Sequence, residues 1–234
     1  MKILYKYGLL IASVFFLFSC SKETEGISRI TDYVEFQFKG DNPAIVQVGK
    51  PYEDAGVIAT LDGKDVSSTV TVKSNVDYET MGMYTVEYTS VNTEGLKSRA
   101  LRSVIVCNPG VTTDLSGTYT VADGTYRLNL ASGAHTQYSG YPVTLAKVAP
   151  GFFSVSDFFG GYYEKRAKYG PAYAMKGYIA LNEDNTIALV SSSVAGWGDS
   201  LDALNDGLYD PATGAVSWGA VYVGAYSFNV ILTK

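Results

Sequence analysis

Few side chains in this chain of 234 residues could do chemistry. There is one histidine, His135, set in "SGAHTQYSG", which reads as a loop. A Ser–His–acid triad needs a histidine oriented by an acid beside an activated hydroxyl. No G-x-S-x-G elbow accompanies His135, and one histidine cannot build a multi-histidine zinc site. A glycosidase needs two carboxyl groups facing each other across a sugar. The candidates are Asp157, Glu164, Asp199, Asp202, Asp206 and Asp210, and no motif ties any two together. They read as solvated turn and cap residues. "DSLDALND" (Asp199–Asp206) lacks the alternating ligands and the glycine of an EF-hand loop. The sequence therefore predicts a protein that is not an enzyme, with no metal and no cofactor.

What remains is ring surface. In "FFGGYYEKRAKYGPAY" (Phe158–Tyr173), six of the sixteen residues are aromatic and stand among Gly160, Gly161, Gly170 and Pro171. Sugars present flat patches of C–H groups edged by hydroxyls. Tyr and Trp faces complement the patches, and charged or amide side chains take the hydroxyls. Tyr162, Tyr163 and Tyr169 are candidate stacking rings. Trp197 joins them because "AGWGDS" sets it between two glycines with little strand support. Glu164, Arg166 and Asp199 are candidate polar contacts. The alternative is equally open: aromatic loops close the ends of barrels, and the same rings would then be a plug. Phe158 and Phe159 have no polar handle and should pack beneath the loop, and Trp218, on a strand, should be core.

The segments around those rings read as strands. Thr, Val and Tyr recur in short alternating runs, which predicts an all-β protein. An N-terminal module spans residues 32–107, with strand-like runs "YVEFQFKG", "AIVQVG", "GVIATL", "VTVKS", "GMYTVEYTSV" and "RSVIVC". Gly40-Asp41-Asn42-Pro43, Asp62-Gly63 and Thr93-Glu94-Gly95 separate them as turns. Gly49, Tyr52, Asp54, Gly56, Gly63, Asp65, Gly82, Tyr84, Tyr88, Arg102, Val104 and Val106 resemble the pattern of bacterial Ig-like modules of surface proteins. The resemblance implies a β-sandwich that acts as a spacer. Tyr84, Val86 and Tyr88 fall on one face of a strand and are read as core.

"CNPGVTTDLSG" holds the linker, residues 108–114, after which a second module spans residues 115–234. Its strand-like runs include "GTYTV", "YPVTLAKV", "KGYIAL" and "YSFNVILTK", with hairpin tips at Glu183-Asp184-Asn185 and Pro211–Gly214. "SLDALNDG" is a short helix candidate, capped by Ser200 and ended by Gly207. The order predicts an antiparallel β-barrel or curved β-sandwich. This half is similar to the C-terminal β-domain of Bacteroidetes lipoproteins that carry an Ig-like module first. That pairing is described as polysaccharide-binding, and the resemblance implies that function here.

The beginning of the chain, "MKILYKYGLLIASVFFLFSC", has a positive start, an apolar run and a small residue before Cys20. It reads as a signal peptide over residues 1–19. "LFSC" resembles a bacterial lipobox, which implies cleavage before Cys20 and lipidation there, the stable anchoring that more than one acyl chain gives. Residues 20–31 read as a tether. Glu23 and Glu25 resemble surface-export signals, so the expected place is the outer membrane, lipid-anchored and facing out. Loss of residues 1–19 takes the net charge from −5 to −7, since it removes Lys2 and Lys6 and no acid. An acidic chain without a basic run argues against nucleic acid. Cys107 has no neighbouring cation to activate it and reads as a small residue at the junction.

The expected function is a non-catalytic surface lipoprotein that binds a polysaccharide or oligosaccharide, its partner a glycan-uptake complex of the outer membrane, with membrane contact through the lipid anchor only. The alternative is a structural or protein-interaction lipoprotein that partners an outer-membrane transport complex, the rings then forming a protein contact.

Overall fold

The computed structural model describes residues 31–234. The expected signal segment, Cys20 and all but the last residue of the tether lie outside the described residues.

The N-terminal unit is the expected β-sandwich. One sheet holds β1 (Glu35–Phe38), β3 (Val57–Leu61) and β4 (Lys64–Asp65). The other holds β2 (Ala44–Gln47), β5 (Thr71–Ser74), β6 (Gly82–Val91) and β7 (Lys97–Cys107), in the order β2-β7-β6-β5. Alternation decides the inner face. Val86 and Tyr88 of β6 and Val104 of β7 are buried against Val57, with Tyr84 partly buried beside them.

The residues of the Ig-like pattern converge on one buried polar group. Arg102, fully buried, donates to the Asp54 carboxylate and to the carbonyls of Lys39 and Gly56. The hydroxyls of Tyr52 and Tyr88 donate to the same carboxylate. Burial opposes the charge on Asp54, but the two tyrosine hydrogen bonds and the Arg102 charge outweigh it and hold the carboxyl below its usual range.

The C-terminal unit is one antiparallel ten-stranded sheet. It comprises β8 (Gly117–Val121), β9 (Tyr126–Asn129), β10 (His135–Gln137), β11 (Pro142–Ala149), β12 (Phe152–Val155), β13 (Lys176–Leu181), β14 (Ile187–Ser193), β15 (Ala203–Asp210), β16 (Ala215–Tyr222) and β17 (Tyr226–Thr233). β17 pairs with β16 along one edge and with β9 and then β8 along the other. From β8 the sheet runs through β11, β12, β13 and β14 and curls until β14 approaches β15. There Thr186 bridges Leu208, and the Tyr209 N–H donates to the Asn185 carbonyl at 2.9 Å. The curl is thus a barrel closed on one side by little more than a bridge. Its interior is one large apolar cluster that includes Tyr119, Val143, Phe153, Ile179, Trp218 and Phe228.

The helix expected over Ser200–Gly207 is corrected to a strand. Ala203–Asn205 pair with Gly219–Val221, and a bulge at Asp206-Gly207 re-aligns Leu208–Asp210. The local signals for a helix are weak, and the ladder to β16 satisfies the same backbone groups while turning Leu204 onto the core. His135 likewise opens a strand and stacks on Tyr126, ring centroids 4.5 Å apart.

The two units meet through a small apolar cluster of their own. Ile105 and Cys107 at the end of β7 pack on Ala149 and Phe152, with Met83, Tyr178 and Val190 around them. Burial pushes the Cys107 thiol up, which keeps it a protonated apolar residue.

Candidate functional site

The ring-rich stretch is organised by one carboxylate. Asp157 follows β12 and is buried. Its Oδ1 accepts the N–H groups of Phe159 at 2.9 Å and Met175 at 3.0 Å, and its Oδ2 accepts that of Gly161 at 2.8 Å. The Phe158 N–H also donates to the Met175 carbonyl at 2.8 Å, so both ends of the lobe 157–175 are tied together. Burial pushes the Asp157 carboxyl up to about 7, against the pull of those three N–H donors. With its oxygens turned to its own backbone, Asp157 is a structural pin of the lobe.

Gly160 and Gly161 both hold positive φ, and a Cβ on Gly161 would stand 2.8 Å from that of Tyr141. This turn drives the chain inward into a single π-helical turn, Tyr162–Arg166. Phe158 and Phe159 are fully buried, as expected, and their carbonyls accept from the Trp218 indole and the Tyr138 hydroxyl.

Tyr162 and Tyr163 follow them in. They were expected as stacking rings, and this is corrected: they are only 6% and 8% exposed and pack on Phe228. A ring gains more by burial in an aromatic interior than it would alone on a loop, and the Asp157 pin with the paired glycines leaves the lobe that direction. They plug the barrel end.

The outer members of the set stay in solvent. Tyr169 is 55% exposed and Trp197 38% exposed, with Tyr173 half-buried between them. Trp197 lies in the turn between β14 and β15. Its indole meets Tyr163 and Tyr173, each with centroids 4.8 Å apart, and stacks at 30° on Tyr222. Gly196 is required here, because a Cβ would fall 2.6 Å from the Tyr173 ring. The exposed faces of Tyr169, Tyr173 and Trp197 thus form a wedge seated on the buried plug.

The expected polar contacts divide. Asp199 lies beside the wedge, and its Oδ2 accepts the Tyr222 hydroxyl at 2.8 Å. Burial and then this carboxylate hold the Tyr222 hydroxyl well above its usual range. Glu164 is engaged by Lys165 at 3.1 Å. Arg166 is exposed, with its guanidinium 5.2 Å from the Tyr162 centroid. Two residues that sequence reasoning missed complete the group. Arg127 on β9 sits 4.7 Å from the Tyr162 ring and 4.5 Å from that of Tyr226 on β17. "YRLNL" carries no signal for this, since only the β9–β17 pairing brings Arg127 there.

A trough of about 670 Å³ opens elsewhere, on the outer face of β11–β14, lined by Ser154, Ser156, Lys176, Tyr178, Ser191 and Ser193 among others. Its one ring, Tyr178, is already packed on Phe152, so it offers hydroxyls without a stacking face. The wedge is therefore the stronger candidate. Among the described residues, no three His, Cys, Asp or Glu side chains stand close enough together to hold a metal ion.

Residues 36–106 match the family model for the Ig-like domain of bacterial surface proteins, and residues 108–234 match a second family model described as a C-terminal domain. The lipoprotein BT2262 from Bacteroides thetaiotaomicron is similar at 39% identity, the alignment covering 86% of this chain and 100% of that one with a TM-score of 0.50. A slighter likeness, TM-score 0.28 at 16% identity over 52% of this chain and 29% of the other, is to the CBM51-2 in complex with GlcNAc and INT domains from Clostridium perfringens ZmpB. No curated protein matches the chain.

Proposed function

The chain belongs to the family of the Bacteroides lipoprotein BT2262, an Ig-like surface domain joined to a C-terminal β-domain, and on that premise we propose that it is a non-catalytic, surface-anchored glycan-binding lipoprotein. The observation that supports this reading is the wedge of Tyr169, Tyr173 and Trp197, which leaves ring faces in solvent on a rigid, fully packed base. Such rings stack on the C–H faces of a sugar at little entropic cost. Asp199, bonded to the Tyr222 that stacks on Trp197, and Arg166, over the Tyr162 ring, take hydroxyls. Cys20 carries the lipid, the Ig-like unit holds the wedge away from the outer membrane, and a glycan-uptake complex is the natural recipient of what it captures.

A glycan-array screen of the purified protein, followed by titration, tests this. A bound carbohydrate whose affinity falls at least tenfold in Trp197→Ala and Tyr169→Ala supports the reading. Capture of no carbohydrate, with the same rings needed to co-purify a transporter, favours the protein-interaction alternative instead. Fractionation and lipid labelling of Cys20→Ala test the anchor, and unchanged membrane association would remove it.

A further inference from the structure

Resting on that reading, we infer that the glycan is acidic: the sugar stacks on the wedge while its carboxylate or sulfate group meets Arg127 and Arg166. Both guanidiniums gather on one ring, that of Tyr162, at 4.7 and 5.2 Å from its centroid. Among the described residues neither forms an ion pair. Elsewhere in the chain the buried Arg102 is paired: its terminal nitrogens donate to Asp54 and to two carbonyls, although its Nε, like that of Arg127, has no partner. Arg127 has no carboxylate against it among the described residues: Tyr162 and Tyr226 cover it, and its Nε is buried with no partner.

A guanidinium held between rings keeps its charge and its planar fork, the arrangement that takes a carboxylate or sulfate by two parallel hydrogen bonds. The acids nearby are already committed. Asp157 is wrapped by backbone N–H groups, Glu164 is bound by Lys165, and Asp199 takes Tyr222. Tyr163 links the two halves of the site. Its ring meets Tyr169 and Trp197 of the wedge and also Tyr162, the ring on which both guanidiniums gather. The cations lie locally on a chain of net charge −5, which fits one or two acidic groups on a neutral frame better than a dense polyanion.

Matched pairs test this by calorimetry: trigalacturonic acid against its carboxyl-reduced form, and a chondroitin sulfate tetrasaccharide against its desulfated form. The expected result is at least tenfold tighter binding of the acidic member of one pair, weakening as salt rises from about 50 to 500 mM. The pair that discriminates tells carboxylate from sulfate. Arg166→Gln, an exposed position, should erase most of that preference. Arg127→Lys, which keeps the charge and loses the fork, should reduce it with melting unchanged. Equal binding of both members in each pair, a preference that survives both variants, or capture of neutral glycans alone would overturn the acidic assignment and leave glycan binding standing. Capture of no carbohydrate at all would overturn both.

Discussion

Tyr163 stands edge-on to Trp197, ring centroids 4.8 Å apart and planes at 85°, so that a buried ring of the plug supports an exposed ring of the wedge. The two residues come from different segments, the π-helical turn and the β14–β15 turn, and only their meeting makes a site. They should therefore respond in opposite ways to truncation. Tyr163→Ala removes a core ring and should cost about 3–5 kcal/mol of folding stability. Trp197→Ala removes a ring that is 38% exposed, should cost less, about 1–3 kcal/mol, and should weaken glycan binding at least tenfold. Chemical unfolding paired with titration reads both, and equal stability losses would show that the wedge is part of the core.

Asp157 should be needed for the lobe in a way its charge does not explain. Asp157→Asn keeps one acceptor oxygen but turns an amide toward one of the three N–H donors, and should cost about 1–3 kcal/mol. The folded carboxyl holds its proton up to about 7, whereas the unfolded one releases it near 3.9. The stability contributed by this group is therefore complete below the unfolded value and declines as pH rises towards 7. The deficit of the Asn variant should shrink between pH 5 and pH 8 in urea titrations. A deficit constant across that range would refute the buried proton.

Asp54 works in the opposite sense. Its carboxyl lies below the usual range when folded, so its contribution is complete above about 3.9 and is lost as pH falls through the lower folded value. Asp54→Ala leaves the Arg102 guanidinium buried without its counter-charge and should cost about 3–5 kcal/mol. Acid unfolding followed by circular dichroism checks this. Wild-type and Asp54→Asn proteins with the same acid limb would show that the network contributes little.

The junction should couple the two units. Phe152 is fully buried between β7 and the C-terminal sheet, Val111 of the connecting segment is buried in the C-terminal core, and Asn108 donates to Glu183 at 2.9 Å. Cleavage within residues 108–113 should therefore be slow in the native protein and faster in Phe152→Ala, at a stability cost of about 3–5 kcal/mol. Equal proteolysis rates in the two proteins would mean that the contact does not hold.

The sequence by itself determined what depends on local pattern. Alternation on β6 put Val86 and Tyr88 inside, Asn185 and Gly214 marked hairpin turns, and the Ig-like pattern named Tyr52, Asp54, Tyr88 and Arg102 before their shared hydrogen-bond network was visible. It also found the ring-rich lobe and Trp197. Tertiary structure alone decided which rings face water. Tyr162 and Tyr169 are seven residues apart in one stretch and alike in type, yet one is a plug and the other a wedge, because the paired glycines and the Asp157 pin fold only the first part of the lobe into the barrel. The same holds for β15, where pairing with β16 overrode a weak helical signal. It holds for Arg127 as well, which an unremarkable strand carries to the site because β9 pairs with β17. Sequence period fixes which face a residue takes within its own strand, but which strands become neighbours is set by burying a common core, and no local pattern encodes that.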